Sequence, residues 1–259
     1  MVRVLFIGDI VGKPGRRAVR ELLPSLKVEY NVDFVVANVE NAAGGAGITQ
    51  NVAKELRSYG INAMTGGNHI WAKREIFKFI DNFPELVRPL NHPESVPGQG
   101  VKVFTSDTGV PIAVINLMGR LFLQCLDNPF IVLERTLEAL KTKIIIVDFH
   151  AEATAEKQAF ALYFDGKVSA IIGTHTHVQT SDERILPNGT AYITDVGMAG
   201  GLGGVIGVKK EAMIKKFLTG LPVDLEASKE QIGLEAAFIE IDPTSGKALR
   251  IERIRRFLK

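Results

Sequence analysis

The sequence contains one cysteine, Cys125, among its 259 residues, so no disulfide can form within the chain. We therefore expect a reducing compartment and a packed thiol at Cys125. Long apolar runs are also missing, because no stretch approaches the ~20 apolar residues of a membrane helix. The first apolar run reaches Asp9 too early for the core of a signal peptide. These absences predict a cytoplasmic protein with no membrane partner.

An excess of charge of either sign is absent as well, since 31 basic residues face 29 acidic residues and the net charge is +2. This balance gives no strong signal for nucleic acid. With 46% hydrophobic residues the chain can bury a large core, and we predict one domain over residues 1–259. The basic end from Arg250 to Lys259 is interleaved with apolar residues and predicts a packed terminus. The oligomeric state stays open, a homo-oligomer included.

Apolar runs rich in branched residues predict buried strands that alternate with amphipathic helices. Pro24 is expected to kink or divide the first helix. Helices are predicted from Thr49, as N-cap, to Tyr59 and from Trp71 to Asp81. The stretch from Gly197 to Gly204 carries five glycines and is predicted to form no regular element. Parallel strand–helix units precede several hairpins, so we predict a mixed α/β sandwich with helices outside.

Five of the predicted strands end at residues that commonly bind metals. These residues are Asp9, Glu40 with Asn41, Asn68 with His69, His150, and His175 with His177. In open α/β sheets, ligand sites form beyond the carboxyl ends of the strands, so the set is expected to converge. Taken singly, each residue has an ordinary alternative, such as a helix cap, a turn residue or a buried core histidine. His92 lacks a strand-end context and is interpreted as structural.

Carboxylate, amide and imidazole groups without thiolate suit mixed nitrogen and oxygen sites for manganese, iron or zinc. The set exceeds what one ion usually takes from a protein, whereas two ions sharing a carboxylate would use all of it. Two ions ~3.5–4 Å apart can activate a water and stabilise a phosphoryl group during in-line displacement. The pattern therefore predicts a dinuclear metal site.

The same blocks, in this order, resemble those of the calcineurin-like metallophosphoesterases. Gly8-Asp9-Ile10-Val11-Gly12-Lys13-Pro14-Gly15-Arg16, Asn38-Val39-Glu40-Asn41-Ala42 and Gly66-Gly67-Asn68-His69 resemble more closely the YmdB-type bacterial phosphodiesterases. The wider superfamily usually has a histidine and an aspartate where this chain has Val11 and Glu40. Both departures are shared by the YmdB-type branch. The resemblance implies a metallophosphoesterase-like α/β fold, a four-layer α/β/β/α sandwich of two mixed sheets.

The resemblance also implies residue roles. One metal would bind Asp9, Glu40, Asn41 and His177, and the other would bind Asn68, His150 and His175 with Glu40 as the bridge. His69 would be no ligand but the general acid that protonates the leaving oxygen after attack by a metal-bound hydroxide. The implied substrates are 2′,3′-cyclic nucleotides, opened at the 2′ oxygen, and related small phosphodiesters. The implied cofactors are two ions, with iron or manganese favoured over zinc.

Several alternatives remain open from sequence. The pocket could serve a non-catalytic regulator that binds metal and nucleotide, or a phosphomonoesterase. The glycines from Gly200 to Gly204 suit either a mobile flap over a phosphate or a loop that needs positive φ angles. Lys13, Arg16 and Arg17 suit either anion steering or a solvated helix start. Asp195, which follows a short apolar run, is a candidate to orient a ligating histidine.

Overall fold

The computed structural model describes residues 1–259. Its regular elements, in chain order, are β1 (Val2–Ile7), β2 (Asp9–Ile10), α1 (Gly12–Glu29), β3 (Phe34–Asn38), α2 (Gln50–Ser58), β4 (Ala63–Thr65), two 3₁₀ segments (Arg74–Lys78 and Ile80–Asn82), β5 (Leu86–Val87), β6 (Val101–Thr105), β7 (Pro111–Met118), α3 (Pro129–Ala139), β8 (Ile144–His150), α4 (Thr154–Tyr163), β9 (Ala170–Thr174), β10 (Arg184–Ile185), β11 (Ala191–Ile193), β12 (Met198–Gly201), α5 (Lys210–Thr219), β13 (Ile232–Ile241) and β14 (Ala248–Phe257). They form two mixed sheets.

The larger sheet has eight strands in the order β2-β12-β13-β1-β3-β4-β5, with β14 paired to β13. Within it β1, β3, β4 and β5 run parallel, whereas β13 runs antiparallel to β1. The smaller sheet has six strands in the order β10-β11-β9-β8-β7-β6, and its strands β7, β8, β9 and β11 run parallel. The predicted hairpins β6–β7, β10–β11 and β13–β14 are confirmed.

Three apolar cores separate four layers. On β1 the side chains alternate between faces, so Leu5 packs with the apolar faces of α1 and α2 while Val4 faces the second sheet. On β7, Val114 points toward the first sheet, and Ile115 packs under α3 and α4. The central core is therefore shared by both sheets, and each outer core joins a sheet to helices. This arrangement confirms the α/β/β/α sandwich.

Helix boundaries follow local chemistry. The Thr49 side chain accepts a hydrogen bond from the backbone N–H of Val52 and caps α2, as predicted. Pro24 lies inside α1 without dividing it, so of the two predicted outcomes, a kink or a division, the division is wrong. Pro24 and Arg20 lie on the exposed face of α1, where water can bind the carbonyl that the proline leaves free.

Two sequence predictions about local structure are wrong. The segment from Trp71 to Asp81 forms 3₁₀ turns instead of an α-helix, because apolar residues spaced by three, Ile76 and Phe79 among them, suit either geometry. The glycine-rich stretch contains the buried strand β12, which pairs with β2 and β13. A side chain at Gly201 would overlap the backbone carbonyl of Ser228, so the glycine there serves close packing.

Among the five α-helices, none combines the length and hydrophobicity that a bilayer crossing would require.

Candidate metal centre

The predicted site residues meet at the carboxyl ends of the strands, where the two sheets face each other. Asp9 begins β2, Glu40 and Asn41 follow β3, Asn68 and His69 follow β4, and His150 ends β8. His175 and His177 follow β9. The structure therefore gathers all eight residues into one crevice, as the strand-end argument predicts. Ligand-type atoms of Glu40, His150 and His175 lie within 4.8 Å of one another.

Asp9 supplies a buried carboxylate with an unsatisfied oxygen. Its Oδ2 accepts a hydrogen bond of 3.2 Å from the backbone N–H of His175. Its Oδ1 has no hydrogen-bond partner, although the residue is 0% exposed. The nearest cationic groups to Oδ1 are His177 Nε2 at 3.6 Å and His150 Nδ1 at 4.0 Å. A buried acceptor without a partner is costly, and a cation is the group that would satisfy it.

Glu40 lies at the centre of the cluster. Its Oε1 is 3.3 Å from His150 Nε2 and accepts a hydrogen bond of 3.2 Å from Asn41 Nδ2. Its Oε2 accepts the backbone N–H of His69 at 2.8 Å. A Cβ on Gly67 would overlap Glu40 Oε2 and the His150 ring, so only glycine lets this turn approach the carboxylate. Glu40 therefore has neighbours from both predicted metal sets.

The two asparagines link these groups to the histidines. Asn68 Oδ1 lies 2.9 Å from His150 Nε2, and Asn41 Nδ2 lies 3.2 Å from His177 Nε2. Asn41 Oδ1 lies 2.9 Å from Nδ1 of His69. The His69 side chain is 48% exposed, in contrast to the buried carboxylates beside it. This placement leaves the other face of the His69 ring open to solvent and to a substrate.

Each predicted histidine ligand has one ring nitrogen that faces the cluster, called here the inner nitrogen, and one that points away from it, the outer nitrogen. Each outer nitrogen lies within hydrogen-bond distance of an oxygen atom. His150 Nδ1 lies 2.9 Å from Thr174 Oγ1, His175 Nε2 lies 2.9 Å from Glu152 Oε2, and His177 Nδ1 lies 2.9 Å from the Ile206 carbonyl. The inner nitrogens, Nε2 of His150, Nδ1 of His175 and Nε2 of His177, face the cluster. Metal-binding imidazoles commonly have such outer partners, which fix the tautomer and the ring plane.

The turn that carries His175 and His177 has an unusual backbone. Both residues have positive φ angles, 99° and 62°, in the left-handed region that non-glycine residues rarely adopt. Asp195 Oδ2 accepts hydrogen bonds from the backbone N–H and the hydroxyl of Thr176, at 2.9 and 2.8 Å. Lys157 Nζ, buried in α4, donates to this oxygen and to the Thr174 carbonyl. Asp195 thus orients the turn through Thr176.

The electrostatics of the cluster follow from burial and opposite charge. Burial favours the neutral form of Asp9, but interactions with His177 and the charge of His150 outweigh it and lower the pKa of Asp9 to about 2. Burial opposes the charging of His150 and His177, yet the carboxylates raise the pKa of His150 to about 8 and that of His177 to about 9. Burial and the neighbouring His150 lower the pKa of His175 to about 4. The carboxylates of the cluster thus favour positive charge at its centre.

The donor set fits metal ions. Two carboxylates, two amides and three imidazoles offer oxygen and nitrogen atoms without thiolate, which suits manganese, iron or zinc. The unpartnered Oδ1 of Asp9 and the inner nitrogens of the three histidines lie in the same cluster. This chemistry makes the cluster a candidate metal centre.

Other candidates lie outside the cluster or have different partners. His92 is buried and accepts a hydrogen bond from Trp71 Nε1 at 3.2 Å, in agreement with a structural role. Cys125 is exposed, so the expected packed thiol is wrong; its loop after β7 does not enter a core.

The basic residues after Asp9 have local partners. Arg16 donates to the Ala42 carbonyl at 2.6 Å and pairs with Glu55, and Arg17 pairs with Glu21 on the exposed face of α1. Lys13 is exposed. For the Gly200–Gly204 stretch, the alternative of a loop that needs positive φ angles is wrong, because none of these glycines has a positive φ and Gly200 and Gly201 lie in β12. The flap alternative stays a prediction.

The sequence reasoning missed a buried polar layer beneath the histidines. Asp148 is fully buried and accepts hydrogen bonds from Asn38 Nδ2 at 3.1 Å, Thr65 Oγ1 and Thr174 Oγ1. Burial raises the pKa of Asp148 to about 7 against the lowering effects of His150 and the two hydroxyls. The available signal was a polar residue inside an apolar run, at Asn38 in β3 and Asp148 in β8.

Comparison with known proteins identifies the family of this chain. A family model described as YmdB-like protein matches residues 5–254. The chain is 50% identical over 255 residues to a 2′,3′-cyclic-nucleotide 2′-phosphodiesterase of Bacillus subtilis, covering 98% of this chain and 96% of that protein.

Two solved structures are also similar. A hypothetical protein from Thermus thermophilus superposes with a TM-score of 0.93 at 40% identity, covering 99% of both chains. A novel phosphatase from Mycoplasma pneumoniae gives a TM-score of 0.93 at 40% identity and covers 99% of this chain and 93% of that one. The matched residues include every member of the cluster, and the chain belongs to the YmdB-like family.

Proposed function

We propose that this protein is a phosphodiesterase that uses two bound metal ions to hydrolyse 2′,3′-cyclic nucleotides at the 2′ bond. The Bacillus subtilis relative carries this activity in its name, and the two chains match over almost their full lengths. The observation that carries the proposal is a cluster of seven ligand-type side chains in which the buried Oδ1 of Asp9 has no hydrogen-bond partner. We also infer one domain over residues 1–259, because both sheets share the central core.

The contacts support two ligand sets that share Glu40. Glu40 Oε1 lies beside His150 Nε2, which in turn contacts Asn68 and His175. The same oxygen accepts a hydrogen bond from Asn41, which contacts His177, and His177 lies beside Asp9. We assign His150, His175 and Asn68 to one ion and Asp9, Asn41 and His177 to the other, with Glu40 as the bridge. When bound, manganese or iron would stabilise charge on the phosphoryl oxygens and lower the pKa of water.

His69 is assigned as the general acid. Its Nδ1 is engaged by Asn41 Oδ1 at 2.9 Å, and its backbone N–H is fixed on Glu40. The Nε2 atom is therefore free to carry the proton that the departing 2′ oxygen requires. Because the side chain is 48% exposed, its ring can meet a substrate without first leaving a buried position. General-acid assistance of this kind contributes roughly 10²–10⁴ in rate.

The test uses protein that has been stripped of metal and then loaded with manganese or iron. We expect two ions per chain and conversion of 2′,3′-cyclic AMP to 3′-AMP. His92→Gln is a matched control, because it removes a buried histidine that contacts Trp71 instead of the cluster. One ion or none, together with no hydrolysis of the cyclic nucleotide, would overturn the proposal.

A phosphomonoesterase is the second candidate, since the Mycoplasma pneumoniae neighbour is described as a phosphatase. The same preparation is therefore assayed with p-nitrophenyl phosphate beside the cyclic nucleotide. A higher kcat/KM on the monoester would favour the second candidate, and a higher value on the cyclic diester would favour the first.

A further inference from the structure

A buried chain of polar contacts extends from His150 into the space between the sheets. His150 Nδ1 lies 2.9 Å from Thr174 Oγ1, and Thr174 Oγ1 lies 2.6 Å from Asp148 Oδ1. All three residues are 0% exposed, so no water from bulk solvent can replace a missing partner. His150 is thus the one predicted histidine ligand whose outer nitrogen contacts a side-chain hydroxyl; Glu152 and a backbone carbonyl serve the other two.

The direction of these hydrogen bonds follows from the number of protons available. Asp148 Oδ2 accepts hydrogen bonds from Asn38 Nδ2 and from the Thr65 hydroxyl. The amide nitrogen of Asn38 can only donate. With Thr174 at Oδ1, the carboxylate is satisfied as an acceptor alone. The Thr174 hydroxyl has one proton, and donating it to Asp148 leaves only lone pairs for His150. Nδ1 of His150 must then carry a ring proton, so Nε2 is the nitrogen that can bind a metal ion.

We propose that Thr174 is a positioning residue that, together with Asp148, presents the Nε2 lone pair of His150 to the metal bound by His150 and His175. Nε2 lies 3.3 Å from Glu40 Oε1 and 2.9 Å from Asn68 Oδ1, at the centre of that ligand set. The inference rests on the proposed function, because it requires that His150 and His175 bind a metal ion. Neither Thr174 nor Asp148 forms a hydrogen bond with Asp9, Asn41 or His177, so we expect only one of the two ions to depend on this chain.

The experiment compares metal binding by four proteins. Thr174→Val removes the hydroxyl with little change in volume, and Thr174→Ser restores it. Thr65→Val is the matched control, because Thr65 is also fully buried and also donates to Asp148, yet it contacts no histidine. Each protein is stripped of metal and titrated with manganese by calorimetry, with thermal unfolding measured in parallel. If Thr174→Val does not fold, Thr174→Ala replaces it, because alanine places no extra methyl group against the His150 ring. The same loss of metal affinity is then expected of Thr174→Ala.

We expect Thr174→Val to weaken one of the two binding events by about 10–100-fold and to leave the other unchanged. Thr174→Ser and Thr65→Val should bind both ions with wild-type affinity. In zinc-loaded protein, the ring proton on ¹⁵N-labelled Nδ1 of His150 should have the same NMR chemical shift in the wild type and in Thr174→Ser. Its chemical shift should change in Thr174→Val, which lacks the hydroxyl acceptor.

Equal binding by the wild type and Thr174→Val would overturn the inference while leaving the proposed function intact. An equal loss in Thr65→Val would also overturn it, because the effect would then belong to the polar layer as a whole. If the wild type binds no manganese, the proposed function itself fails. These outcomes separate the two claims.

Discussion

The backbone N–H of His175 donates a hydrogen bond of 3.2 Å to Asp9 Oδ2, joining residues 166 positions apart in the chain. The contact fixes the turn after β9 against the start of β2, so the two sheets are linked through the cluster itself. It also leaves Asp9 Oδ1 directed toward His177 at 3.6 Å. His175 and His177 therefore diverge from a single turn toward different neighbours, His150 and Asp9.

The first prediction concerns this divergence. His175→Ala and His177→Ala should each lower the metal content of the reconstituted protein from two ions per chain toward one, because each side chain faces a different ligand set. Elemental analysis of the metal-loaded variants measures the loss.

The double variant distinguishes two sites from one. It should bind little metal, whereas loss of both ions in either single variant would show that the two histidines serve one site. His92→Gln again controls for the removal of a histidine elsewhere.

The second prediction tests His69 as the general acid. His69→Ala should keep two metal ions and lower kcat on 2′,3′-cyclic AMP by about 10²–10⁴-fold, because the ribose alkoxide is a poor leaving group. The loss should be much smaller on bis(p-nitrophenyl) phosphate, whose leaving group needs no proton. If metal content falls in step with activity, His69 is a ligand and the role given to it is wrong.

The third prediction concerns Gly173, which precedes the histidine turn. A Cβ at this position would overlap the backbone carbonyl oxygen of Thr194, which cannot move aside without disturbing β11. Gly173→Ala should therefore lower the free energy of unfolding by about 1–3 kcal/mol, as overpacking does. Chemical denaturation measures this change.

Gly200→Ala is the matched control for Gly173→Ala. A Cβ at Gly200 would lie 3.3 Å from the Cβ of Val11, a tight contact but not an overlap, so the loss of stability should be smaller. Equal losses in the two variants would show that the approach of Thr194 is not the cause.

The fourth prediction uses His92. Burial, with a smaller contribution from the charge of Arg88, lowers the pKa of His92 below its ordinary value of 6.5. The unfolded chain therefore binds this proton more readily, and the stabilising contribution is present above about pH 6.5 and lost as the pH falls. Protonation at Nε2 would also break the hydrogen bond from Trp71.

Trp71 is the single tryptophan, so its fluorescence reports unfolding at about pH 8 and about pH 5. His92→Gln should show a smaller decrease in unfolding free energy between these two pH values than the wild type. An unchanged difference would show that His92 does not contribute to acid sensitivity.

Much of the architecture could be predicted because burial repeats along the chain with the period of each element. The runs at β1, β3 and β8 are apolar on both faces, which identifies strands with a layer on each side. The same reasoning failed for the residues of β12, because glycine carries no apolar signal and its packing partner, Ser228, is remote in sequence.

The sequence by itself determined which chemistry is available and where on the strands it lies. Strands and turns depend mainly on residues that are close in sequence. The sequence alone therefore places five of the site residues at strand ends: Asp9, Glu40, His150, His175 and His177. Only the tertiary structure decided which ring nitrogen of each histidine faces the cluster, because Thr174, Glu152 and Ile206 meet them through space. In the sequence, His175 and His177 are only two histidines separated by one residue. The orientation of the turn that carries them is set by hydrogen bonds to Asp9 and Asp195, which form when the strands assemble.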